Sequence, residues 1–280
     1  MTVNELIRAK KSGKKWAMLT AYDAPTAEIL ETNGVDWLLV GDSLGMVVLG
    51  YTTTACVTME EMLHHTRAVR RGAPNSFIIG DMPLKAVEHG PPGALKASKL
   101  FFKNGADAVK VEWRKDALLI TRKLVRRGVP VMGHVGLTPQ TSKGFKVQGA
   151  EAGAAKDVLE RALLFEKAGA FAVLLECVPA PVSNIITRRL KVPVVGIGAG
   201  PDCDGQVLVF HDMVGWFSKF RPRFVKRYAD ARSIFGRAVQ KYVQEVRGGK
   251  FPSQARCFSM KPKERERFSR MIQEKKDNRP

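Results

Sequence analysis

The feature that most constrains the fold of this chain is a repeated alternation of short apolar runs with longer segments of helical periodicity. Within the runs, apolar residues do not alternate with polar ones, which is typical of parallel strands buried on both faces. We predict strands at residues 16–22, 37–41, 77–80, 108–111, 130–134, 171–175, 193–197 and 206–210. Eight strand and helix repeats favour a single (β/α)8 TIM barrel, an α/β fold, over a doubly wound open sheet.

Helical periodicity between the strands predicts helices at residues 58–72, 94–104, 115–127 and 152–168. Glycines follow several helical segments, where a left-handed C-cap is favoured; they are Gly34, Gly72, Gly105, Gly128 and Gly169. A long amphipathic helix is predicted at residues 224–246. The charged sequence beyond it is expected to form a short surface helix or to be disordered. We therefore predict a barrel domain at residues 1–258 and a basic C-terminal extension at residues 259–280.

The chain is strongly basic, with 46 Lys plus Arg against 27 Asp plus Glu in 280 residues and a formal net charge of +19. One basic cluster comprises Lys219, Arg221, Arg223, Lys226 and Arg227. The positive electrostatic field of such a chain attracts anionic substrates. No nucleic-acid-binding module is recognised, so nucleic acid is not an expected partner. The cysteines are scattered, and the N-terminus has no apolar signal-peptide core. No apolar run approaches the roughly 18 residues of a membrane span. We therefore predict a soluble, cytoplasmic protein.

Ionisable residues follow or end six of the predicted strands; they are Asp23, Asp42, Asp81, Glu112, His134 and Glu176. The carboxyl ends of barrel strands lie on one face, where active sites are built, so these side chains are expected to converge. Crowded carboxylates repel one another unless a cation lies between them. Oxygen ligands of this kind predict a divalent ion, most plausibly Mg²⁺.

Some of these acids also have a purely structural interpretation. Aspartate after a strand is a common helix N-cap, and we favour that role for Asp23, which precedes Pro25 in the sequence. Asp42 and Asp81 are interpreted as metal ligands because neighbouring glycines allow a bound group to approach closely. For Glu176, an apolar run before it predicts poor solvation, a raised pKa and general-base function, and a helix cap is the equal alternative.

Lys110 and Glu112 are two residues apart on one strand, so their side chains point to the same side. We interpret them as a charged pair that serves an anionic ligand and the metal, with a surface ion pair as the alternative. His64 and His65 are expected to be ordinary surface or packing residues. The GIGAG run at 196–200 resembles a dinucleotide fingerprint only superficially, and a tight turn at the barrel mouth is expected there.

Ten stretches in unbroken order over residues 3–258 match a known family. They are TAYDAPTA (20–27), VGDSLGMVVLGY (40–51), HTRAVRRGAPN (65–75), GDMP (80–83), KVE (110–112), GHVGLTPQ (133–140), FKVQG (145–149), LLECVP (174–179), VPVVGIGAGPDCDGQVLVFHD (192–212) and FVKRYAD (224–230). In these stretches the chain resembles ketopantoate hydroxymethyltransferase, and the combination of GDSLGM, GHVGLTPQ and GIGAG is highly specific.

The resemblance implies a Mg²⁺-dependent barrel enzyme of pantothenate and coenzyme A biosynthesis that assembles into homodecamers. It implies transfer of a hydroxymethyl group from the co-substrate 5,10-methylenetetrahydrofolate to 3-methyl-2-oxobutanoate (α-ketoisovalerate), giving 2-dehydropantoate (ketopantoate) by way of a metal-stabilised enolate. Chelation of the substrate's keto and carboxylate oxygens by Mg²⁺ would make the C3 proton easier to remove.

By the family's motifs, Asp42 and Asp81 resemble metal ligands, Glu112 an outer or water-mediated metal contact, and Glu176 the proton acceptor. The residues expected to bind substrate are Asp42, Ser43, Asp81, Lys110 and His134, where His134 borders either the keto acid or the folate. The residues that contact the folate are not assigned. The chain departs from the family's pattern at residues 84–85, 113–115 and 141–150, near the expected substrate lid.

Two other functions are weighed. Another Mg²⁺-dependent keto-acid barrel, of the lyase or phosphonomutase kind, would use the same chemistry, but such enzymes usually carry a lid cysteine after strand 3 or 4, which this sequence lacks. A non-catalytic paralogue could bind an anionic partner through the basic tail. Retention of five ionisable residues in one expected cavity argues against that function.

Overall fold

The computed structural model describes residues 3–142, 144 and 146–277. The chain divides into two compact units, Met1–Ala229 and Asp230–Pro280. Phe145, which begins the FKVQG stretch, and residues 278–280 of the predicted extension lie outside the described residues. The predicted domain boundary at residues 258 and 259 stays a prediction.

The first unit contains eight parallel strands that close into a barrel in sequence order. They are β1 (Trp16–Thr20), β2 (Trp37–Val40), β3 (Phe77–Asp81), β4 (Ala108–Glu112), β5 (Val131–Gly136), β6 (Ala172–Glu176), β7 (Val194–Ile197) and β8 (Gly205–Leu208). β8 pairs with β1 and closes the ring. The predicted (β/α)8 barrel is confirmed, and the open-sheet alternative is wrong.

Helices alternate with the strands around the barrel. The helices are α1 (Val3–Lys11), α2 (Ala24–Thr32), α3 (Leu44–Val47), α4 (Met59–Gly72), α5 (Leu84–Glu88), α6 (Gly90–Lys103), α7 (Ala117–Val125), α8 (Ala152–Lys167), α9 (Ala180–Arg189), α10 (Phe210–Met213), α11 (Ala231–Arg247) and α12 (Pro262–Asp277). The four helices predicted between strands correspond to α4, α6, α7 and α8. Among the helices that the structure describes, none has the length and apolar character needed to cross a membrane.

Two predicted helix-end signals have different outcomes. The Asp23 side chain caps α2 by accepting a hydrogen bond from the backbone N–H of Thr26 at 2.8 Å, so the cap interpretation is confirmed. The prediction that Gly72 forms a left-handed C-cap is wrong, because Gly72 lies inside α4. A Cβ at Gly72 would collide with the backbone of Ala24, so the glycine allows a close approach between α4 and α2.

Apolar side chains fill the barrel interior near the amino ends of the strands. The rings of Trp16 and Trp37 are stacked with centroids 5.4 Å apart. Phe77 and Phe171 pack against Trp37 at centroid distances of 6.3 and 6.2 Å. All four side chains are buried. This aromatic plug closes the amino end of the barrel and leaves the carboxyl end for polar groups.

The second unit begins with the long helix predicted from the sequence, but its start was placed too early. We predicted a start at Phe224, whereas α11 begins at Ala231 and is capped by the side chain of Asp230. Phe224 and Val225 belong to the first unit, where Val225 is buried. The α11 side chains are all exposed or partly exposed, and the following charged segment contains the surface helix α12.

Candidate active site

A cavity of about 880 Å³, including its open mouth, lies at the carboxyl end of the barrel. Every site residue predicted from the sequence lines it: Asp42, Ser43, Asp81, Lys110, Glu112, His134 and Glu176. The strand ends bring together residues that are up to 134 positions apart in the sequence, from Asp42 to Glu176. The expected convergence of the strand-end acids is therefore observed for these residues, whereas Asp23 is used as a helix cap.

Two buried aspartates form the centre of the charged wall. Asp81 ends β3, and its Oδ2 accepts a hydrogen bond of 3.2 Å from the backbone N–H of Asp42, which follows β2. The glycine before Asp81, Gly80, is needed because a Cβ there would overlap the ring of Phe101. The two carboxylates are thus held side by side at adjacent strand ends.

Lys110 neutralises part of this negative charge. Its Nζ lies 2.8 Å from Asp81 Oδ1, and its side chain is only 5% exposed. Burial favours the neutral amine, but the carboxylates of Asp81, Asp42 and Glu112 outweigh it and raise the pKa of Lys110. Burial also raises the pKa of Asp81 while Lys110 opposes that rise, and the short contact favours the ionised pair. Because Lys110 and Glu112 both line the cavity and are buried, the surface ion-pair alternative is wrong.

His134 connects two carboxylates across the cavity. Its Nδ1 lies 3.5 Å from Glu112 Oε2, and its Nε2 lies 3.2 Å from Glu176 Oε2. Burial and the nearby Lys110 oppose the charged imidazole, but hydrogen bonding to Glu112 and Glu176 raises the pKa of His134 to about 9. The ring thus lies between the two carboxylates and Lys110, whose Nζ is 3.3 Å from its Nδ1.

Glu176 ends β6 and faces the cavity with 14% of its side chain exposed. The next helix, α9, begins at Ala180 with Pro179 at its N-cap, so the helix-cap alternative for Glu176 is wrong. Cys177 follows with a φ of 53°, which is uncommon for a residue with a side chain. This left-handed residue ends the strand abruptly and leaves Glu176 as its last member.

Sequence reasoning missed Gln140, which connects the two sides of the charged wall. Its side-chain Nε2 donates hydrogen bonds to Asp42 Oδ2 at 2.9 Å and to the carbonyl oxygen of Met82 at 3.0 Å. Its backbone N–H donates to Glu112 Oε1 at 3.1 Å. The residue is buried, and its only sequence signal was its place at the end of GHVGLTPQ. Gln140 therefore holds two of the proposed site carboxylates in place.

Tyr22 was also missed as a site residue. Its buried hydroxyl lies 2.8 Å from the Oγ of Ser43, which begins the short helix α3 at the cavity wall. The expected packing role of His65 agrees with its contacts, since its Nδ1 lies 2.6 Å from the carbonyl oxygen of Tyr22. In the GIGAG run, Gly198 and Gly200 have φ values of 62° and 77°, which fits the expected tight turn.

The donor set of the cavity fits a hard cation bound by few protein oxygens. Asp42 uses Oδ2 for Gln140, and no described residue donates a hydrogen bond to its Oδ1. Glu112 Oε2 is buried without a hydrogen bond of good geometry. Within the described part of the chain, no three His, Cys, Asp or Glu side chains are grouped to hold a metal together. Mg²⁺ usually takes one or two carboxylates and several waters, so two aspartates suffice.

Comparison with solved structures shows the same barrel architecture. Phosphonopyruvate hydrolase is similar with a TM-score of 0.61 and 16% identity, covering 99% of both chains. 2,3-Dimethylmalate lyase, a PEP mutase/isocitrate lyase superfamily member, is similar with a TM-score of 0.59 and 14% identity, covering 99% of this chain and 98% of the other. At these identities the likeness shows the fold alone.

Comparison with protein sequences is far more specific. The 3-methyl-2-oxobutanoate hydroxymethyltransferase of Oleidesulfovibrio alaskensis is 51% identical over 95% of this chain and 93% of its own length. An enzyme of the same name from Thermus thermophilus is 52% identical over 92% of this chain and 99% of its own length. The family description of ketopantoate hydroxymethyltransferase matches residues 1–254, which include the whole barrel and every residue of the charged wall. The sequence resemblance is confirmed, and the chain belongs to the ketopantoate hydroxymethyltransferase family.

Proposed function

We propose that the protein transfers a hydroxymethyl group from 5,10-methylenetetrahydrofolate to 3-methyl-2-oxobutanoate and forms 2-dehydropantoate, in pantothenate and coenzyme A biosynthesis. The observation that carries this proposal is the convergence of Asp42, Asp81, Lys110, Glu112 and Glu176 on one cavity in a member of this family. Such a cluster supplies cation ligands, a positive charge for an anionic substrate, and a carboxylate base.

In this function Asp42 and Asp81 would hold Mg²⁺, with Glu112 as an outer contact through water. The bound ion would withdraw charge from the keto and carboxylate oxygens of the substrate and so make its C3 proton easier to remove. Gln140 supports this arrangement by donating to one oxygen of Asp42, and no described residue donates to the other. The backbone N–H of Asp42 likewise donates a hydrogen bond to one oxygen of Asp81 and so holds that carboxylate in position.

Glu176 would remove the C3 proton of the keto acid. The contact between its Oε2 and His134 Nε2 orients the carboxylate, and its partial exposure to the cavity makes it accessible to a bound substrate. Lys110 and Ser43 would bind the oxygens of the keto acid, where Lys110 offsets the negative charge that develops on proton loss. Overall, the methylene carbon of the donor would lose its bonds to both folate nitrogens and gain one bond to C3, through the electron pair left by the proton, and one to a hydroxyl group from water. The C3 proton and the second proton of the water would end on the two nitrogens, and tetrahydrofolate would leave.

Assembly and location follow from the same proposal. The family resemblance implies a homodecamer, and a cytoplasmic location is proposed because the relatives are biosynthetic enzymes. Size-exclusion chromatography with light scattering tests the assembly, since a decamer of this chain has ten times its mass of 30.9 kDa. A monomer at micromolar concentration would contradict it.

The proposed function is tested by following exchange of the C3 proton of α-ketoisovalerate in D₂O by proton NMR, with Mg²⁺ and without folate. We expect wild-type protein to exchange this proton and Glu176→Gln to be slower by a factor of about 10² to 10⁴, the usual contribution of a general base. Glu160→Gln, which removes an exposed carboxylate on α8, is the matched control and is expected to match wild type.

Failure of the wild-type protein to exchange the proton with Mg²⁺ present would contradict the proposal. It would instead favour a non-catalytic paralogue that binds an anionic partner. The lyase or phosphonomutase alternative has only the shared fold in its favour, at identities of 14% to 16%, against 51% and 52% for the hydroxymethyltransferases.

A further inference from the structure

The cavity has two sides of different chemistry. The charged residues of the proposed metal and keto-acid site come from the ends of β2 to β6 and lie on one side. In the proposed function the keto acid uses these residues, so the opposite side is available to the second substrate.

This opposite side is apolar and aromatic. It is built by β7, β8 and the segment that follows them, and we call residues 217–224 the strap. Four strap residues line the cavity: Phe217, Phe220, Pro222 and Phe224. Gly198 supports this wall, because a Cβ there would come 2.5 Å from the ring of Phe224. The glycine of the GIGAG turn thus provides the space in which the aromatic ring packs.

The outer side of the strap is basic. Lys219, Arg221 and Arg223 alternate with the residues that line the cavity, and all three are exposed. The strap therefore has an apolar aromatic side that faces the cavity and a positively charged side that faces the solvent. A ligand that fits both sides has a flat ring at one end and anionic groups at the other.

One ionisable residue, Asp212 in α10, lies on the apolar wall. No described residue donates a hydrogen bond to its carboxylate, although the positive charge of Arg227 is near enough to stabilise it. Burial raises the pKa of Asp212 to about 6, and Arg227 opposes that rise. The carboxylate is ionised at neutral pH and has unused acceptor oxygens in a cavity that excludes much of the solvent.

We propose that Asp212 and the strap form the binding site for the folate donor. Asp212 accepts hydrogen bonds from the N–H groups of the aminopyrimidine part of the pteridine ring, and the strap aromatics contact the ring face. The glutamate carboxylates at the other end of the folate lie against Lys219, Arg221 and Arg223. This assignment rests on the proposed function and names the residues that would bind its second substrate.

The chemistry of the donor matches these groups in three independent respects. A carboxylate is a pure acceptor and pairs with adjacent ring and amino N–H donors. Aromatic side chains stack on flat heterocycles. Exposed Lys and Arg attract carboxylates in a way that weakens with added salt. A keto acid of five carbons would use none of these contacts, since its charge is met on the opposite wall.

The first test measures binding of (6S)-tetrahydrofolate to the purified protein by isothermal titration calorimetry under anaerobic conditions. We expect Asp212→Asn to raise the dissociation constant roughly tenfold, since a charge-assisted pair becomes a mismatched amide. Asp157→Asn removes an exposed carboxylate of the same kind on α8 and is expected to bind as wild type does. Thermal unfolding of each variant checks that it is folded.

The second test compares tetrahydrofolate carrying one glutamate with the form carrying three. Wild-type protein is expected to prefer the triglutamate by about threefold to tenfold at low salt, and Lys219→Glu with Arg223→Glu is expected to abolish this preference. The matched control is Arg122→Glu with Lys123→Glu, which makes the same charge change at exposed positions on α7 and is expected to keep the preference.

The outcomes distinguish this inference from the proposed function. If wild-type protein exchanges the C3 proton of α-ketoisovalerate but Asp212→Asn binds tetrahydrofolate as tightly as wild type, the ring assignment is wrong and the function stands. Retention of the triglutamate preference in the strap variant overturns the assignment of the basic residues. If wild-type protein shows no exchange, the proposed function itself fails.

Discussion

The two ends of the barrel interior are built by the same strands but have opposite chemistry. In β3, Phe77 belongs to the aromatic plug and Asp81 to the charged wall, and both side chains are buried. In β4, Ala108 and Glu112 show the same contrast. On each strand the two positions are four residues apart, which is two repeats of the strand period. This short distance separates the aromatic plug, which stabilises the protein, from the charged wall, which carries the proposed chemistry. The comparison predicts that substitutions at the two ends have different consequences.

The largest expected effect comes from removing part of the plug. Trp37→Ala removes a fully buried ring that contacts Trp16, Phe77 and Phe171, and we expect the free energy of unfolding to fall by about 3–5 kcal/mol. Denaturant titration measures this loss.

The contrast between the two ends is contradicted if Trp37→Ala also lowers the transfer activity of folded protein at 15 °C by a factor equivalent in free energy to its loss of stability. Phe258→Ala is the control because that ring is fully exposed, and its expected change in unfolding free energy lies within about 0.5 kcal/mol.

An intermediate effect is expected at the charged wall. Gln140→Ala removes the amide that contacts Asp42 and Met82 but keeps the backbone hydrogen bond to Glu112. Because the partly released Asp42 becomes more mobile, we expect kcat/KM for the transfer reaction to fall by about tenfold to a hundredfold. Titration with Mn²⁺, followed by electron paramagnetic resonance, should show weaker metal binding by a similar factor.

A purely structural role for Gln140 would instead lower the midpoint of thermal unfolding without changing Mn²⁺ affinity. Gln206→Ala serves as the comparison, since Gln206 is exposed and its amide donates to the carbonyl oxygen of Gly200.

The smallest expected effect concerns Asp212, the acid on the apolar wall. Its pKa of about 6 in the folded protein exceeds the unfolded value of about 3.9, so the folded state binds the proton more tightly. The contribution of Asp212 to the stability of the folded protein should therefore fall as the pH rises from about 4 to about 6. Asp212→Asn, which resembles the protonated form, should avoid this loss and be more stable by about 1 kcal/mol at pH 7, after allowance for partial solvation.

Chemical denaturation at pH 4 and pH 7 measures the difference between Asp212→Asn and wild type. Equal stability of the two proteins at both pH values would mean that the apolar wall does not destabilise the ionised form of Asp212. It would also weaken the contrast with the opposite wall, where Lys110 compensates buried carboxylates.

The barrel could be predicted from the sequence because its signal is periodic and local. Each of the eight strands is a short apolar run, and the predicted ends differ from the observed ones by at most two residues. The start of α11 could not be predicted because Phe224 and Val225 have helical spacing and yet pack in the first unit. Helical periodicity shows that a segment has one apolar face, but it does not show which part of the protein packs against that face.

The charged residues of the site could be predicted for a different reason. The carboxyl ends of barrel strands meet on one face, so acids at several predicted strand ends are expected to converge, and Asp42, Asp81 and Glu176 were found in that way. Neutral polar residues give no such signal, since a glutamine or tyrosine is equally common on a surface. Gln140 acts on Asp42, which lies 98 residues away in the sequence, and this pairing exists only once the barrel has closed.

The aromatic plug also has a kinetic consequence. Because the plug closes the amino end, ligands of the cavity are expected to enter and leave at the carboxyl end of the barrel. Asp81 and Lys110 lie almost completely buried, whereas Phe220 beside the opening is 41% exposed. A donor seated against the strap would stand between the acid's position and the solvent. The proposed folate site therefore predicts ordered kinetics, in which the keto acid binds before the donor and its product is released after the spent donor.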